Sequence, residues 1–392
     1  MAENFIPLSV PNLTGNELKY VTEVIDTEWV STGGKFINDF EEKIAEYVKS
    51  KGAVACQSGT AGLHLALECC GVREGDEVIA PCLTFIAAVN PIRYMKANPV
   101  FMDCDDSLNM DCDKLNEFLS TQCNYIDGKL INKKTNAQIK AIIIVHVFGN
   151  IANMEKIMRL AKLYNLKVIE DATEALGSYY VGNIYVGKYA GTIGDIGVYS
   201  FNGNKIITTG GGGMLVSNCP DYLHKAKYLS TQAKDNEVYF IHGEVGYNYR
   251  MTNLQAALGI AQLERLEEFI DTKKRNYLLY RRELKENEQI RLLEFEASTR
   301  PNYWFYSLFL DSELIDDMGV RECIEKMAIE KIQVRPIWGL IHEQKPYLNC
   351  QTYKIEKAVY YRDRIINIPC SSNLKSEEVQ RVCNVLKTIF RR

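Results

Sequence analysis

The sequence predicts an α/β protein with a mostly parallel sheet in a large domain and a smaller C-terminal α+β domain. From residue 53 onward, short apolar runs alternate with segments of helical spacing, which is typical of a parallel sheet covered by helices on both faces. The length of 392 residues suits two domains. A composition of 46% hydrophobic and 24% charged residues indicates a globular chain and excludes disordered or fibrous classes.

The elements of the large domain follow from periodicity. Helical spacing predicts helices over residues 14–24, 36–48, 60–70, 85–95, 113–120 and 154–164. Apolar runs predict strands over 53–56, 78–80, 100–102, 142–147 and 168–169, with two more at 196–201 and 213–216. The last two strands are separated by a loop rich in threonine and glycine, a composition that suggests function.

The second half of the chain has a different pattern. Residues 251–287 are predicted to be helical with one interruption near Asp271, and they connect the two parts. Strands follow at 303–310, 333–335 and 365–368, with helices at 320–330 and 376–390. We therefore predict domains at 1–265 and 266–392.

Charge and composition restrict the partners and the location. The net charge is −4 and no basic run occurs, so a nucleic-acid partner is not expected. The twelve irregularly spaced cysteines indicate reduced thiols in a chain of this length. The N-terminus lacks the pattern of a signal peptide, and the longest apolar stretch, 141–148, is too short for membrane insertion. We predict a cytoplasmic protein.

Functional groups are sought where parallel strands end, because ligands of open α/β sheets collect there. After the first strand, residues 57–62 lead directly into a helix, whose N-terminus offers free N–H groups that suit a phosphate. The alternative is an ordinary turn capped by Ser58 or Thr60. After the next strand comes Phe85, either a core residue or a platform on which a ring stacks.

Two charged residues follow later strands. A carboxylate at Asp171 would be costly to bury without a cation or several donors facing it, although it could also cap a helix. Lys205 lies between a strand and four consecutive glycines, where lost hydration would lower its pKa and make it a nucleophilic amine. The alternative is a surface lysine. Together, a Schiff-base lysine, an aspartate for a pyridinium nitrogen and a phosphate cradle are the anchors of pyridoxal 5′-phosphate (PLP).

These residues belong to a set of separated motifs that resembles the DegT/DnrJ family of sugar-nucleotide aminotransferases. The resemblance implies PLP fold type I, the aspartate aminotransferase-like fold, and runs from about residue 10 to the C-terminus. The motifs are Ser58-Gly59-Thr60, Pro81-Cys82-Leu83-Thr84-Phe85, Glu170-Asp171-Ala172 with Gly177, Gly194-Asp195, Ser200-Phe201 with Lys205, Gly211-Gly212-Gly213-Met214, Gly246-Tyr247-Asn248-Tyr249-Arg250 and Arg335-Pro336.

The resemblance implies a role for each matching residue. Lys205 would bind the cofactor covalently and act in catalysis, and Asp171 would keep the pyridine nitrogen protonated. Phe85 would stack on the ring, and Asn248 of a second subunit would complete the phosphate site in an obligatory homodimer. The phosphate would be held by Gly59, Thr60 and Ser200.

Two further positions are assigned by the same resemblance. Many relatives have glutamine where this chain has Glu174, and an ionised carboxylate cannot donate a hydrogen bond to the cofactor as an amide does. Three possibilities follow: Glu174 is protonated, another residue supplies the hydrogen-bond donor, or the Glu174 side chain faces the substrate amine. His342 matches a substrate-side segment, with an exposed loop histidine as the alternative. The other histidines have no ligand spacing, and no metal is predicted.

The activity implied by the resemblance is transfer of an amino group, with glutamate as donor, to C4 of a nucleotide-linked 4-keto-6-deoxy sugar. Residues 200–207 are most similar to the subgroup that acts on UDP-linked N-acetylated sugars, which serves surface polysaccharide or nonulosonic acid biosynthesis. The alternatives are a 3-amino or perosamine-type enzyme, a sugar dehydratase and a non-catalytic regulator. Dehydratase relatives replace the lysine with histidine, so Lys205 argues against that activity.

Overall fold

The computed structural model describes residues 5–236, 238–310 and 317–390. Its strands fall into one large sheet, one smaller sheet and two short pairs. The strands are β1 Gly52–Cys56, β2 Glu77–Pro81, β3 Asn98–Met102, β4 Cys123–Ile126, β5 Lys129–Asn132, β6 Gln138–Val145, β7 Lys167–Asp171, β8 Tyr179–Tyr180, β9 Ile196–Ser200, β10 Gly213–Ser217, β11 Lys234–Asn236, β12 Ile241–His242, β13 Ile290–Leu292, β14 Thr299–Arg300, β15 Tyr306–Leu310, β16 Arg335–Pro336, β17 Gln351–Tyr353 and β18 Ile365–Ile368.

The helices of the described residues alternate with these strands in the first half of the chain. They are α1 Glu17–Asp26, α2 Lys35–Val48, α3 Gly59–Cys69, α4 Asn90–Tyr94, α5 Cys112–Thr121, α6 Met154–Leu163, α7 Pro220–Ser230, α8 Asn253–Leu263, α9 Leu266–Leu284, α10 Asp317–Ile329, α11 Lys357–Arg362 and α12 Ser376–Ile389. None of the helices in these ranges combines the length and apolar character needed to cross a membrane.

The large sheet is mixed and mostly parallel, as predicted. Its main path runs β1-β10-β9-β7-β6-β2-β3-β17. The pairs from β9 through β17 are parallel, whereas β10 runs antiparallel to both β1 and β9. As a result, β1, β2, β6, β7 and β9 all end at the same edge of the sheet. The fold class predicted from the sequence is confirmed.

The C-terminal part contributes a second, antiparallel sheet in the order β13-β15-β18-β16. Helix α9 contacts β13, α10 contacts β16, and α12 packs against α9 and α10. Two segments cross between the parts: β17 pairs with β3 of the large sheet, and Ile6 forms a bridge with Ile332. The predicted boundary at residue 265 falls between α8 and α9, and the division into domains at that point stays a prediction.

Two predicted helices are wrong in detail. The helical segment 251–287 is interrupted at Glu264 and Arg265 rather than near Asp271. Arg265 has non-helical backbone angles (φ −112°, ψ 5°), and Glu264 at the break accepts hydrogen bonds from Asn16 Nδ2 (2.8 Å) and Tyr20 Oη (2.7 Å). The predicted helix 85–95 is a 3₁₀ turn followed by the short α4. Pro91, which cannot donate to a preceding turn, lies in the first turn of α4.

Candidate functional site

A cavity of about 360 Å³ opens at the carboxyl edge of the large sheet, where the sequence predicts the functional groups. Seven of the nine residues predicted from the sequence line this cavity, and they come from four separate strand-end segments. The seven are Gly59, Thr60, Phe85, Asp171, Glu174, Ser200 and Lys205.

One end of the cavity is the N-terminus of α3. Ser58 caps this helix with extended backbone, and its Oγ accepts the Ala61 N–H at 3.1 Å. The first N–H groups of a helix have no partner within it, so they are available to an anion. A β-carbon at Gly59 would lie 3.0 Å from both Ser200 Cβ and Thr173 Cγ2, so glycine allows close approach of these segments. Both capping and a phosphate cradle therefore fit this turn.

Asp171 is the last residue of β7 and is only 3% exposed. Its Oδ1 accepts the Thr173 N–H at 3.0 Å, and no helix starts in residues 172–180, so the helix-cap alternative is wrong. Burial raises the pKa of Asp171, while hydrogen bonding to Thr173 and the charge of Lys205 oppose that shift.

Behind Asp171 lies a buried pair that the sequence analysis missed. His146 Nε2 is 2.8 Å from Glu170 Oε2, and both side chains are fully buried. The His146 backbone N–H donates to the Asp171 carbonyl at 3.1 Å, so the segment that carries His146 is hydrogen-bonded to the end of β7.

Lys205 lies in the loop between β9 and β10 and points into the cavity, with a side chain 13% exposed. The alternative of a surface lysine is therefore wrong. Its Nζ is 3.8 Å from Glu174 Oε1 and 4.1 Å from the centroid of the Trp304 ring. Burial lowers the pKa of the Lys205 amine, and the charges of Glu174 and Asp171 oppose that shift.

Glu174 divides its two oxygens between the backbone and the cavity. Oε2 accepts the Phe148 N–H at 2.8 Å, which leaves Oε1 on the side of Lys205. Burial raises the pKa of Glu174 to about 7, with opposing contributions from Lys205 and the Phe148 N–H. A carboxyl with this pKa is partly protonated near neutral pH and is then able to donate a hydrogen bond.

Phe85 also lines the cavity, and 55% of this residue is exposed. Its interpretation as a core residue is therefore wrong. An exposed aromatic ring over a cavity provides a surface on which a planar ligand could stack.

Two tryptophans and Phe305 of the C-terminal part also line the cavity and were not found from the sequence. Trp304 and Trp338 both line the cavity, and the Trp304 indole N–H donates to the Asn204 carbonyl at 2.8 Å. The neighbouring sequence does not distinguish them as site residues. Trp304, for example, lies two residues before a buried strand and has the appearance of an ordinary core residue.

Two predicted residues do not line the cavity of this chain. Asn248 lies in an exposed segment, where it forms an isolated bridge with Thr231. His342 is half-buried against Phe101, with ring centroids 6.4 Å apart, and its buried Nδ1 has no hydrogen-bond partner. His342 is therefore not an exposed loop histidine, and its role in binding stays a prediction.

The comparisons with known proteins agree with this geometry. Residues 11–387 match the model of the DegT/DnrJ/EryC1/StrS aminotransferase family, and the chain belongs to that family. It is 38% identical to EpsN of Bacillus subtilis (strain 168), described as a pyridoxal phosphate-dependent aminotransferase, over 98% of this chain and 96% of EpsN. It is 37% identical to the GDP-perosamine synthase of Escherichia coli O157:H7, over 98% and 99% of the two chains.

The solved structures support the fold. Helicobacter pylori PseC, an aminotransferase involved in the biosynthesis of pseudoaminic acid, superposes with a TM-score of 0.88 at 24% identity, over 98% of this chain and 99% of PseC. The predicted family is confirmed, and the chain is an aminotransferase of the class that acts on nucleotide sugars.

PLP is the cofactor of this family, and the cavity fits it. A buried amine, a buried strand-end carboxylate and a helix N-terminus are the groups needed for its aldehyde, ring nitrogen and phosphate. They occur together at Lys205, Asp171 and Gly59. Among the described residues, no group of three or more histidine, cysteine or acidic side chains is arranged to hold a metal.

The raised pKa of Glu174 predicts a pH-dependent stability for the cofactor-free protein. The pKa rises from 4.5 to about 7 on folding, so the folded state binds more protons between these values. The free energy of unfolding should therefore fall by about 3 kcal/mol from this group as pH rises from about 4.5 to 7, and stay level above.

The substitution Glu174→Gln should remove this pH dependence of the free energy of unfolding while keeping an acceptor for the Phe148 N–H. Denaturant unfolding at pH 5 and pH 8 measures it. Glu42→Gln, at an exposed position of α2, is the matched control and should leave the slope unchanged. Equal slopes in the wild type and Glu174→Gln would contradict the assignment.

Proposed function

As a member of this aminotransferase family, we propose, the chain transfers an amino group from glutamate to C4 of a nucleotide-linked 4-keto-6-deoxy sugar. The observation that carries the proposal is the buried Lys205 amine beside two buried carboxyls, in a cavity that ends at the N-terminus of α3. Within the cytoplasm, such an amine would supply surface polysaccharide or nonulosonic acid biosynthesis; both the location and the pathway stay predictions.

Five residues of the cavity have a proposed role in holding the cofactor. The N–H groups of Gly59 and Thr60 and the hydroxyl of Ser200 bind the phosphate. Phe85 covers one face of the ring. Asp171 keeps a proton on the ring nitrogen, which a buried carboxylate does well because its charge is not screened by water.

Lys205 and Glu174 act on protons in this proposal. When bound, PLP supplies an electron-withdrawing ring that accepts the electron pair left by a departing proton. Lys205 Nζ takes up that proton and gives it back, because burial keeps the pKa of the amine below its ordinary value. Glu174 Oε1 is the second group on the cavity side that can hold a proton near neutral pH.

The role of Lys205 is testable by chemical trapping. Borohydride reduction of the loaded enzyme should fix the cofactor mass on the peptide that contains Lys205, and Lys205→Ala should abolish transamination while leaving the fold intact. Peptide mass spectrometry and activity assays measure both effects. Lys188→Ala, at an exposed lysine outside the cavity, is the control and should behave as wild type. Cofactor mass on any other lysine would refute the assignment.

The identity of the nucleotide sugar has two candidates. The motif at residues 200–207 supports a UDP-linked N-acetylated 4-keto sugar, whereas 37% identity to a GDP-perosamine synthase supports a GDP-linked one.

Incubation with glutamate and a panel of UDP-, GDP- and dTDP-linked 4-keto-6-deoxy sugars, followed by product mass and NMR, distinguishes the two. We expect efficient C4 amination of one substrate of the panel and at least tenfold slower reaction of the others. Amination at C3 instead would replace the proposal with a 3-amino transferase.

We also propose that the active form is a homodimer with shared sites, in which Asn248 of one subunit completes the phosphate site of the other. Asn248 is exposed and does not line the cavity of its own chain. The neighbouring β11–β12 hairpin exposes apolar side chains to an unusual degree, with Val238 at 76%, Tyr239 at 75% and Phe240 at 72%. Exposed apolar clusters of this kind favour association.

Complementation tests the shared site. A heterodimer of a Lys205→Ala chain and an Asn248→Trp chain would contain one site with both defects and one intact site. Mixing the two inactive variants under exchanging conditions should therefore restore about half of the wild-type activity per heterodimer. If Asn248 serves its own subunit, both sites carry one defect and no activity returns. Heterodimer formation is verified by native mass spectrometry.

A further inference from the structure

The indole of Trp304 covers the amine of Lys205 inside the cavity. The ring centroid lies 4.1 Å from Nζ, within the range of a cation–π contact, and Trp304 is only 3% exposed. Neither the sequence motifs nor the proposed roles above give this residue a function.

Four contacts fix the position of the indole. The Trp304 backbone N–H donates to Asn302 Oδ1 at 3.0 Å, and its carbonyl accepts a hydrogen bond from the buried Lys273 Nζ at 3.1 Å. Its Nε1–H donates to the Asn204 carbonyl at 2.8 Å, and its ring stacks on Phe305 with centroids 4.1 Å apart. Hydrogen bonds of the Trp304 backbone and of its Nε1–H, together with stacking on Phe305, therefore fix the indole. It cannot move away from the amine without breaking several of these contacts.

The backbone beside Trp304 is strained. Tyr303 has a φ of 55°, in the left-handed region that a bulky residue rarely adopts. Such strain persists only when the surrounding structure enforces it, and it is common at functional sites. Here the strained residue directly precedes the side chain that covers the amine.

The groups around Lys205 Nζ have opposite effects on its proton affinity. Burial favours the neutral amine, whereas Glu174 Oε1 at 3.8 Å and the charge of Asp171 favour the ammonium. The negative π face of an indole also attracts an ammonium but has little attraction for a neutral amine. Because the indole has no ionisable group, its π face is the same at every pH, and it favours the protonated form of the amine.

We propose that Trp304 is a positioning residue that holds the free Lys205 amine in place and favours its protonated form. The inference rests on the proposed role of Lys205. Only a proton is transferred at this contact: Nζ gains an N–H bond when the proton arrives and loses it when the proton is returned, while the indole keeps all its bonds.

Fluorinated tryptophan gives a test that preserves the size of the ring and its Nε1–H. The chain has three tryptophans, so Trp29→Phe together with Trp338→Phe leaves Trp304 as the one position labelled by tryptophan analogues. The matched control, Trp29→Phe with Trp304→Phe, leaves Trp338, which lines the same cavity. Each protein is produced with tryptophan or with its mono- to tetrafluorinated analogues.

The pKa of the Lys205 amine is then measured in the full-length, cofactor-free protein. The readout is the pH dependence of acetylation of the Lys205 peptide by acetic anhydride, followed by mass spectrometry. Because fluorine weakens the π face, the pKa should fall stepwise with each fluorine at Trp304, by about 0.5 to 1 unit in total. Fluorination of Trp338 should leave it unchanged.

Two outcomes would overturn the inference. A pKa that does not change with fluorination of Trp304, or that changes equally with fluorination of Trp338, would remove the assigned contact. Borohydride trapping of the loaded enzyme separates this result from failure of the proposed function. A Trp304-dependent pKa without cofactor mass on Lys205 would refute the positioning role in catalysis and the proposed function together.

Discussion

The cavity depends on one buried side chain, Asn302, which joins the loop after β7 to the segment before β15. Its Nδ2 donates to the carbonyls of Glu174 at 2.9 Å and Leu176 at 3.0 Å, while its Oδ1 accepts the Trp304 N–H. Gly149, with a φ of 88°, permits this packing, because a β-carbon there would overlap Asn302 Oδ1. One side chain thus fixes the carboxyl wall of the cavity relative to the indole that faces it.

This packing buries three ionisable groups close together, those of Asp171, Glu174 and Lys205. Burial raises the pKa of Asp171 and Glu174 and lowers that of Lys205, so the three groups approach one another in proton affinity. A group that must accept and return a proton within one reaction benefits from this, because efficient proton transfer requires a pKa close to the working pH.

Most of the fold and the cofactor side of the cavity could be predicted from the sequence, because both depend on local patterns. Alternating apolar runs predicted the parallel sheet, and the ends of its strands predicted Asp171 and Lys205. Features set by distant contacts could not be predicted. At the helix break Glu264 contacts Asn16 and Tyr20 near the start of the chain. Trp304 and Trp338 line the cavity from segments next to the second sheet, more than 90 residues after Lys205. Local spacing carries no record of either contact.

The dimensions of the cavity separate cofactor binding from sugar recognition. A volume of about 360 Å³ lies near the low end of small-molecule sites, and a nucleotide sugar is much larger than the cofactor that the cavity residues suit. Most of such a substrate would therefore extend outside this volume. The exposed ring of Phe85 lines the cavity, whereas Asn248 and the β11–β12 hairpin do not. If a second copy covers those exposed segments, the substrate pocket is formed by the assembly, and the residues that choose the nucleotide differ from those that carry out the chemistry.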